Sequence, residues 1–452
     1  MIETPLTATI KRLRYLWTDD SRKVRLVRAG LGGAGIQAAN RLLALMLAIL
    51  LARTLGTAGY GVYAYAFVLM SLLMVAAEAG VPTLLMREVA ASEAREEWGL
   101  LRGTLRRAVQ FVALTSTTIS LLGLLVVWWL ADSLTPAVLY TTTLMLIVLP
   151  LSAEVKTIAH AIKGLHHVVI GQAVERLMRP ALVLSLVGFL FLLWPALQKP
   201  QFAMTAQMLA VMVVLVMSCF ILRRLIPTSA KTAEPVYNRR DWLRSILPFT
   251  LIGGASIINS HTDIIMLGWL SGSEDVGVYR VAVQGATLVV FSLQVANAVL
   301  APQFSRLYAQ GEMVKLQHLV TRSAQVILLV AMPVALVFIL EGDVIVGWVF
   351  GVEFVEAHLP LAILAVGQLL NAGFGSAGFL LNMTGHERIA ARILWQTALL
   401  NVALNAVLIL LYGINGAAIA TAISLIAWNF VLYRQVKGKL NITSTAFRLE
   451  IS

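Results

Sequence analysis

Three polar residues, Gln37, Asn40 and Arg41, interrupt an otherwise apolar stretch near the start of the chain. Their spacing of three and four residues places them on one face of a helix. A guanidinium in the middle of a bilayer costs at least about 2.5–3.5 kcal/mol, so it nearly always faces a bundle interior or a wet cavity. The group therefore predicts a polar cavity; the alternative is an arginine held by a buried acid or by helix-end carbonyls.

Two carboxylates also lie within apolar stretches. Asp263 shares a helical face with Asn259, and Glu78 precedes Gly80 and Pro82, where a helix must bend or end. An acid inside a membrane is by default a candidate functional group. Both are candidates for binding H⁺ or Na⁺; the alternatives are a structural cap for Asp263 and a residue at the mouth of the helix for Glu78.

Other polar residues form stripes at helical spacing, among them Arg280, Gln368 and Asn371. Any single amide in such a stripe is most simply explained by a hydrogen bond between helices. Several stripes in one chain together favour a central polar cavity.

The elements that must position these residues are membrane-spanning helices. Of the 452 residues, 59% are hydrophobic and 13% are charged, and the mean hydropathy is +0.83. A soluble chain carries about 25% charged residues, which excludes a soluble enzyme. Because a bilayer core needs about 20 apolar residues per helix, the sequence predicts twelve spans: 31–52, 60–83, 108–130, 136–153, 178–194, 203–222, 246–270, 276–301, 324–340, 359–383, 389–412 and 414–433.

The basic residues alternate between the connections of these spans. Of the 35 Lys and Arg, 31 lie in the two termini and in the connections after every second span, and only three in the remaining connections. Positive loops stay on the cytoplasmic side. Both termini are therefore predicted to be cytoplasmic, and topology rather than nucleic acid explains the formal charge of +12.

Several kinds of site are absent from the sequence. Cys219 is the single cysteine, and the seven histidines form no metal-binding pair, so we expect neither a disulfide nor a zinc site. The stretch 30–35 matches GxGxxG, but it opens a membrane span and is better explained by close helix packing. No P-loop is present, and neither an enzyme nor a bound cofactor is expected.

Two weak internal matches indicate a duplication. GVYAYA at 61–66 resembles GVYRVA at 277–282, and the connections containing Gly164 and Gly385 match at a similar offset. A repeat of six spans keeps both halves in one orientation, a plan known from transporters. The predicted domains are a basic arm (1–30), a six-helix lobe (31–222), a flexible cytoplasmic linker (223–245), a second six-helix lobe (246–433) and a cytoplasmic tail (434–452).

Motifs along most of the chain resemble Wzx-type oligosaccharide flippases. They are LARTLGTAGYGVY at 51–63, EAGVP at 78–82 with REVA at 87–90, DIIMLG at 263–268 with GVY at 277–279, FGVEF at 350–354 and LNMTG at 381–385. This family belongs to the multidrug/oligosaccharidyl-lipid/polysaccharide exporter superfamily. The resemblance implies an all-α polytopic fold in which two lobes form a V around a central cavity and give alternating access.

The resemblance also implies a function in the bacterial inner membrane. It implies translocation of polyprenyl-pyrophosphate-linked repeat units, such as those of the lipopolysaccharide O-antigen, to the outer leaflet. The implied partners are this lipid-linked oligosaccharide, the bilayer, and a polysaccharide polymerase with its chain-length machinery. Since arginine binds phosphate groups bidentately, Arg41 is the first candidate for the headgroup site, followed by Arg280 and by Arg53 and Arg87 at the mouths.

The polar residues Gln37, Asn40, Asn259, Gln368 and Asn371 complete this predicted substrate site, and Asp263 and Glu78 are its candidate coupling acids. One alternative is a cation-coupled multidrug extruder, although Arg41 would repel cationic drugs. Another is a scaffold that assembles glycan enzymes, although a scaffold needs no charges inside the membrane.

Overall fold

The computed structural model describes residues 22–237 and 240–447, and its regular structure in these ranges is helical. The first half contains α1 (Arg22–Glu78), α2 (Val81–Ala94), α3 (Trp98–Trp129), α4 (Pro136–Gly164), α5 (Val168–Ala173), α6 (Arg179–Leu193), α7 (Pro200–Leu225) and α8 (Thr228–Thr232). The second contains α9 (Arg240–Leu270), α10 (Ser273–Val289), α11 (Phe291–Ala309), α12 (Met313–Leu340), α13 (Gly342–Val349), α14 (His358–Phe374), α15 (Ala377–Met383) and α16 (Glu387–Leu440). Residues 1–21 of the predicted arm, 238–239 of the linker and 448–452 of the tail lie outside the described residues.

The helices have the length and composition of membrane spans. Within the described ranges, eight are long and apolar enough to cross a bilayer, and nine if α10 and the start of α11, bent by 49°, form one span. Two of the eight are much longer than a bilayer requires and are broken at glycines with positive φ, α1 at Gly56 and α16 at Gly413. The predicted all-α polytopic class is confirmed, and the number of twelve spans stays a prediction.

Several predicted boundaries differ from the structure, and two of them affect the candidate site. The fourth predicted span ends at 153, but α4 continues to Gly164. The fifth is predicted to begin at 178, but α5 begins ten residues earlier and runs through a π-helical turn, Val174–Met178, into α6. The basic residues in these stretches made them resemble a loop. These stretches are helical because their charged side chains form ion pairs or face a cavity.

The two halves repeat one backbone feature at the offset of 216 residues. Gly56 (φ 66°, ψ −176°) and Gly272 (φ 106°, ψ −178°) each end one helical segment and begin the next. Such backbone angles are readily adopted only by glycine. Five residues further on, Gly61 and Gly277 pack against the opposite half: an added Cβ would lie 1.6 Å from the Ser273 carbonyl oxygen and 2.1 Å from that of Thr57, respectively. We call this contact the glycine crossing.

The ends of the bundle differ in chemistry. Five exposed tryptophans lie at one end, which we call the tryptophan end: Trp128, Trp129, Trp194, Trp269 and Trp348. The glycine crossing lies at this end. The opposite end, which we call the basic end, holds the connections 95–97, 165–167 and 226–237. Tryptophans gather at membrane–water interfaces, which supports placing the tryptophan end at one bilayer surface.

Candidate functional site

A cavity of about 410 Å³ lies among α1, α4, α6, α7 and α10. Most of its wall comes from the N-terminal half, and α10 of the C-terminal half closes one side. Tyr60, Tyr63 and Phe67 of α1 form an aromatic wall. The cavity therefore lies where the two halves meet.

The charged groups in the cavity wall are mostly cationic. They are Lys156, Glu175, Arg176, Arg179 and Arg280. Lys156 Nζ lies 2.6 Å from Glu78 Oε2, and Glu175 forms an ion pair with Lys163. These two pairs neutralise one lining cation and Glu175, the single acid that lines the cavity among the described residues.

Three lining guanidiniums, those of Arg176, Arg179 and Arg280, form no ion pair within the described part of the chain, although Glu175 lies within electrostatic range of Arg176 and Arg179. Arg179 lies over the Phe67 ring, 5.3 Å from its centroid, a cation–π contact that leaves the guanidinium edge available for hydrogen bonds. An anion with several oxygens would supply the missing charge. The arrangement is therefore suited to binding a phosphate-containing group.

Local helix geometry positions these side chains. Gly171 of α5 lets this helix approach α4 closely, since an added Cβ would lie 2.7 Å from the Ala159 carbonyl oxygen. The π-helical turn follows directly and contains Glu175 and Arg176. Such turns often occur at functional sites. Pro180 follows two residues after this turn.

The predicted group on α1 lies beside this cavity. Asn40 lines it, Gln37 is half-buried, and Arg41 is outside the lining. Arg41 Nη2 instead donates to Gln294 Oε1 of α11 at 3.0 Å, a hydrogen bond between the two halves. Arg41 remains within electrostatic range of Arg176 and Arg280.

Two predicted arginines lie away from the cavity. Arg53 is exposed at the tryptophan end, where its guanidinium donates to the carbonyl oxygens of Val349 (2.9 Å) and Trp348. Arg87 of α2 is 55% exposed at the basic end and pairs with Glu88 at 2.9 Å. Arg53 thus joins the halves, and Arg87 lies on the surface.

The two predicted coupling acids are buried in different environments. Asp263 accepts from the backbone N–H of Ile264 and the hydroxyl of Tyr279, each at 2.8 Å, and from Thr421 at 3.4 Å. Asn259 is half-buried one turn before it. Glu78 Oε1 has no hydrogen-bond partner among the described residues, although its Oε2 binds Lys156.

Gln368 and Asn371 belong to a chain of amides between helices. Asn429 of α16 donates to Asn371 Oδ1 at 2.9 Å, and Asn371 donates to Gln368 Oε1 at 3.0 Å. Neither residue lines the cavity described above. Asn371 thus bonds α14 to α16, and its bond to Gln368 lies within α14.

Lys156, Arg176 and Arg179 were not predicted as cavity residues, because their charges, in or next to the stretch between the fourth and fifth predicted spans, indicated a connection. One signal was available: Lys156, His160 and Lys163 follow helical spacing beyond the predicted end of the fourth span. A cation that follows the period of the preceding helix belongs to that helix.

Known proteins resemble the chain in sequence and in fold. It is 30% identical over 205 residues to the probable low-salt glycan biosynthesis flippase Agl15 of Haloferax volcanii, covering 45% of this chain and 42% of that protein. It is 29% identical over 233 residues to the uncharacterized membrane protein MJ1068 of Methanocaldococcus jannaschii, covering 50% and 45%. The matches thus span less than half the length of these curated relatives.

Solved structures match over most of the chain. An inward-facing multidrug resistance MATE family transporter of the MOP superfamily superposes with a TM-score of 0.75 at 14% identity, covering 89% of this chain and 94% of that one. A MOP superfamily transporter from Pyrococcus furiosus, described as having a binding pocket of reverse polarity, gives 0.65 at 14% identity, covering 94% and 97%. These similarities confirm the two-lobed fold.

The family comparison covers the cavity and its surroundings. The model of the polysaccharide biosynthesis proteins matches residues 33–308, more than half of the chain. The matched range includes Lys156, the π-helical turn, Arg179 and Arg280. The chain belongs to the family of polysaccharide biosynthesis proteins.

Proposed function

We propose that this protein is a flippase that moves polyprenyl-pyrophosphate-linked oligosaccharide repeat units from the inner to the outer leaflet of the cytoplasmic membrane. Its family membership and its similarity to a probable glycan flippase support this function. The observation that carries the proposal is the set of three guanidiniums without an acid partner, among the described residues, in a cavity between the halves.

The headgroup site is formed by Arg176, Arg179 and Arg280. A pyrophosphate presents several anionic oxygens, and guanidiniums bind such groups through charge-assisted pairs of hydrogen bonds. Arg41 and Asn40 stand beside this cluster and extend it towards α11. Arg53 and Arg87, predicted at the mouths, contribute to contacts of the protein itself in the present conformation.

The remaining parts of the substrate occupy different surroundings. The aromatic wall of Tyr60, Tyr63 and Phe67 suits the apolar faces of sugar rings. A cavity of about 410 Å³ holds the pyrophosphate and a proximal sugar, so passage of a longer glycan requires the lobes to separate. The polyprenyl tail stays in the bilayer, where its burial costs nothing.

The cavity charge disfavours the alternative of a multidrug extruder. Cationic drugs would meet three arginines there, and the nearby acids Glu78 and Glu175 are already paired with lysines. The structural similarity to MATE transporters concerns the fold and leaves the substrate open. The test below therefore includes a drug-efflux measurement.

The proposed arrangement in the membrane follows the charge distribution. The basic end and both termini face the cytoplasm of a bacterial cell, with lobes at 31–222 and 246–433 and a linker at 223–245. Asp263 and Glu78 are the candidates for coupling to H⁺ or Na⁺. A polymerase and its chain-length machinery would receive the product at the tryptophan end.

Complementation of a strain that lacks its O-antigen flippase tests this function. The wild-type chain should restore surface glycan without conferring resistance to cationic dyes. Arg176→Gln/Arg179→Gln/Arg280→Gln should abolish restoration, and the purified variant should bind a polyprenyl pyrophosphate at least about tenfold more weakly, since each charged hydrogen bond contributes about 1.5–3 kcal/mol.

The matched control removes the same charge elsewhere. Arg95, Arg306 and Arg388 are exposed, and their triple replacement by glutamine should leave surface glycan and binding unchanged. Dye resistance without glycan restoration would identify an extruder. Equal loss in both triple variants would show that total charge, rather than the cavity, matters.

A further inference from the structure

The linker between the halves is docked on α3, although its composition predicts a flexible connection. Val236 donates its backbone N–H to the Gly99 carbonyl oxygen at 2.9 Å, and Arg102 Nη1 donates to the Ala233 carbonyl oxygen at 2.7 Å. A Cβ added at Gly103 would lie only 2.0 Å from the Val236 carbonyl oxygen. The linker thus crosses α3 at glycines that allow close contact.

The docked linker forms one side of an open pocket of about 400 Å³ at the basic end, which we call the linker pocket. Leu101, Leu105 and Ala230 form an apolar floor that belongs to a buried cluster. Arg102, Arg106 and Lys231 supply three cations around it. The pocket therefore combines a hydrophobic base with positive charge.

The charge of the linker pocket is largely uncompensated. Arg106 and Lys231 are exposed, and neither forms a hydrogen bond or an ion pair in the described portion of the chain. Glu234, an exposed acid three residues after Lys231, forms no ion pair with these cations within that portion. An anion is thus the complementary ligand.

The depth of the pocket indicates where this anion comes from. The apolar part of α3 begins at residue 108, so at 1.5 Å per residue Arg106 lies about 3 Å and Arg102 about 9 Å beyond it. Lipid headgroups occupy the layer of several ångströms beyond the hydrocarbon core. Arg106 is therefore at the depth of the lipid headgroups, and Arg102 lies at their outer edge.

The surface below the pocket is suited to an acyl chain. Leu114 and Leu121 lie eight and fifteen residues after Arg106, on the same side of α3. They are 69% and 57% exposed. A phosphate bound at Arg106 would place its lipid chains along this apolar stripe, which a free phosphate cannot use.

We propose that the linker pocket binds the headgroup phosphate of an anionic phospholipid from the cytoplasmic leaflet. Basic pockets between helices on this side of a membrane recognise such headgroups. The phosphate bridges Arg106 of α3 and Lys231 of α8 and so holds the linker against the N-terminal half. This inference is independent of what the protein transports.

Thermal unfolding of the full-length protein in detergent, followed by tryptophan fluorescence, tests the proposal. A ligand that binds the folded state raises Tm. Phosphatidylglycerol should raise Tm by at least about 2 °C over an equal amount of phosphatidylcholine. Inorganic phosphate should not reproduce this shift; if it does, the site binds soluble phosphate and the lipid proposal is wrong.

Variants locate the effect. Arg106→Gln/Lys231→Gln should lose at least half of the shift, and Arg106→Lys/Lys231→Arg should keep it, which separates lost charge from lost folding. Arg306→Gln/Arg388→Gln removes two exposed cations from the other half and should keep the full shift. The proposal would be wrong if the Tm shift were equal in the two glutamine pairs. It would also be wrong if both pairs lost the shift.

Discussion

Arg41 forms a hydrogen bond between the halves and also lies near the proposed headgroup site, so one residue has two candidate roles. Replacement of its hydrogen-bond partner Gln294 distinguishes the two roles. If Arg41 binds substrate, Arg41→Ala should abolish glycan export and Arg41→Lys should impair it, because a point charge cannot grip pyrophosphate bidentately. Gln294→Leu should then retain most export. Similar losses in Arg41→Ala and Gln294→Leu, at equal protein levels, would show that the hydrogen bond itself is what matters.

The Glu78–Lys156 pair is an ion pair with one buried and one partly exposed member, since the Glu78 side chain is 7% exposed and that of Lys156 38%. Glu78→Gln leaves the lysine without its counter-charge. The cost should be about 1–3 kcal/mol, below that of a fully buried pair because water reaches Lys156. Adding Lys156→Met should recover most of the lost stability, as measured by thermal unfolding in detergent. Full stability of Glu78→Gln alone would mean that the pair is energetically neutral.

Asp263 is the better-connected of the two candidate coupling acids, with three hydrogen-bond donors. If it carries the coupling ion, Asp263→Asn should remove the pH or Na⁺ dependence of transport in proteoliposomes and leave binding of a polyprenyl pyrophosphate within about twofold. Tyr279→Phe removes one donor and keeps the acid, so it should shift that dependence without abolishing it. An unchanged dependence in Asp263→Asn would exclude this residue from coupling.

The intramembrane arginine of α1 could be found from sequence because it interrupts an apolar run far from either end. Arg176 and Arg179 could not be found in this way. They stand next to an apolar run, where a loop cation and a cavity cation have the same sequence pattern. Only the packing of α5 on α4 and the π-helical turn, which depend on contacts between distant segments, bring these side chains to the cavity.

At the scale of elements, the glycine crossing fixes how closely α1 and α10 pack. Gly61→Ala should prevent this approach, because its Cβ would overlap the Ser273 carbonyl oxygen. We expect the lobes to separate at the tryptophan end. Cross-linking of cysteines placed at Thr57 and Glu274, in a Cys219→Ser background, should decrease, and export should fall with it.

Gly438→Ala is the matched control for this substitution, since a Cβ there meets no atom within 4 Å among the described residues. It should leave cross-linking and export unchanged. Unchanged cross-linking in Gly61→Ala would mean that the crossing does not set the distance between the halves.

Element boundaries were predictable where charge and apolarity change together. The glycines at 56 and 413 mark breaks that the sequence places between predicted spans. The ends of α4 and α5 were not predictable, because ion pairs such as Lys163–Glu175 allow charged residues to continue a helix inside the protein. A sequence pattern shows the polarity along one helix. It does not show which residue of another helix will neutralise a charge.

At the scale of the whole molecule, the two chemically distinct ends predict one orientation in the membrane. A reporter inserted in the turn Pro195–Leu197, at the tryptophan end, should be external, and one inserted in α8 (Thr228–Thr232) should be cytoplasmic. The basis is the excess of basic residues at the second end, which the positive-inside rule assigns to the cytoplasm. Reporters on the same side would overturn both the orientation and the assignment of the lobes.

The glycine crossing is self-complementary: Gly61 meets Ser273 while Gly277 meets Thr57, and each pair of equivalent positions differs by 216 residues. This is the geometry of an isologous interface, in which one patch meets a second copy of itself. It is the contact expected from an ancestral homodimer of six-helix units whose two copies became one chain. A symmetric dimer must carry every side chain twice, but a fused chain need not. At equivalent positions three residues after Gly61 and Gly277, one half has Ala64 and the other has Arg280, and both line the cavity. Fusion thus permitted the two halves to contribute different side chains to one shared cavity.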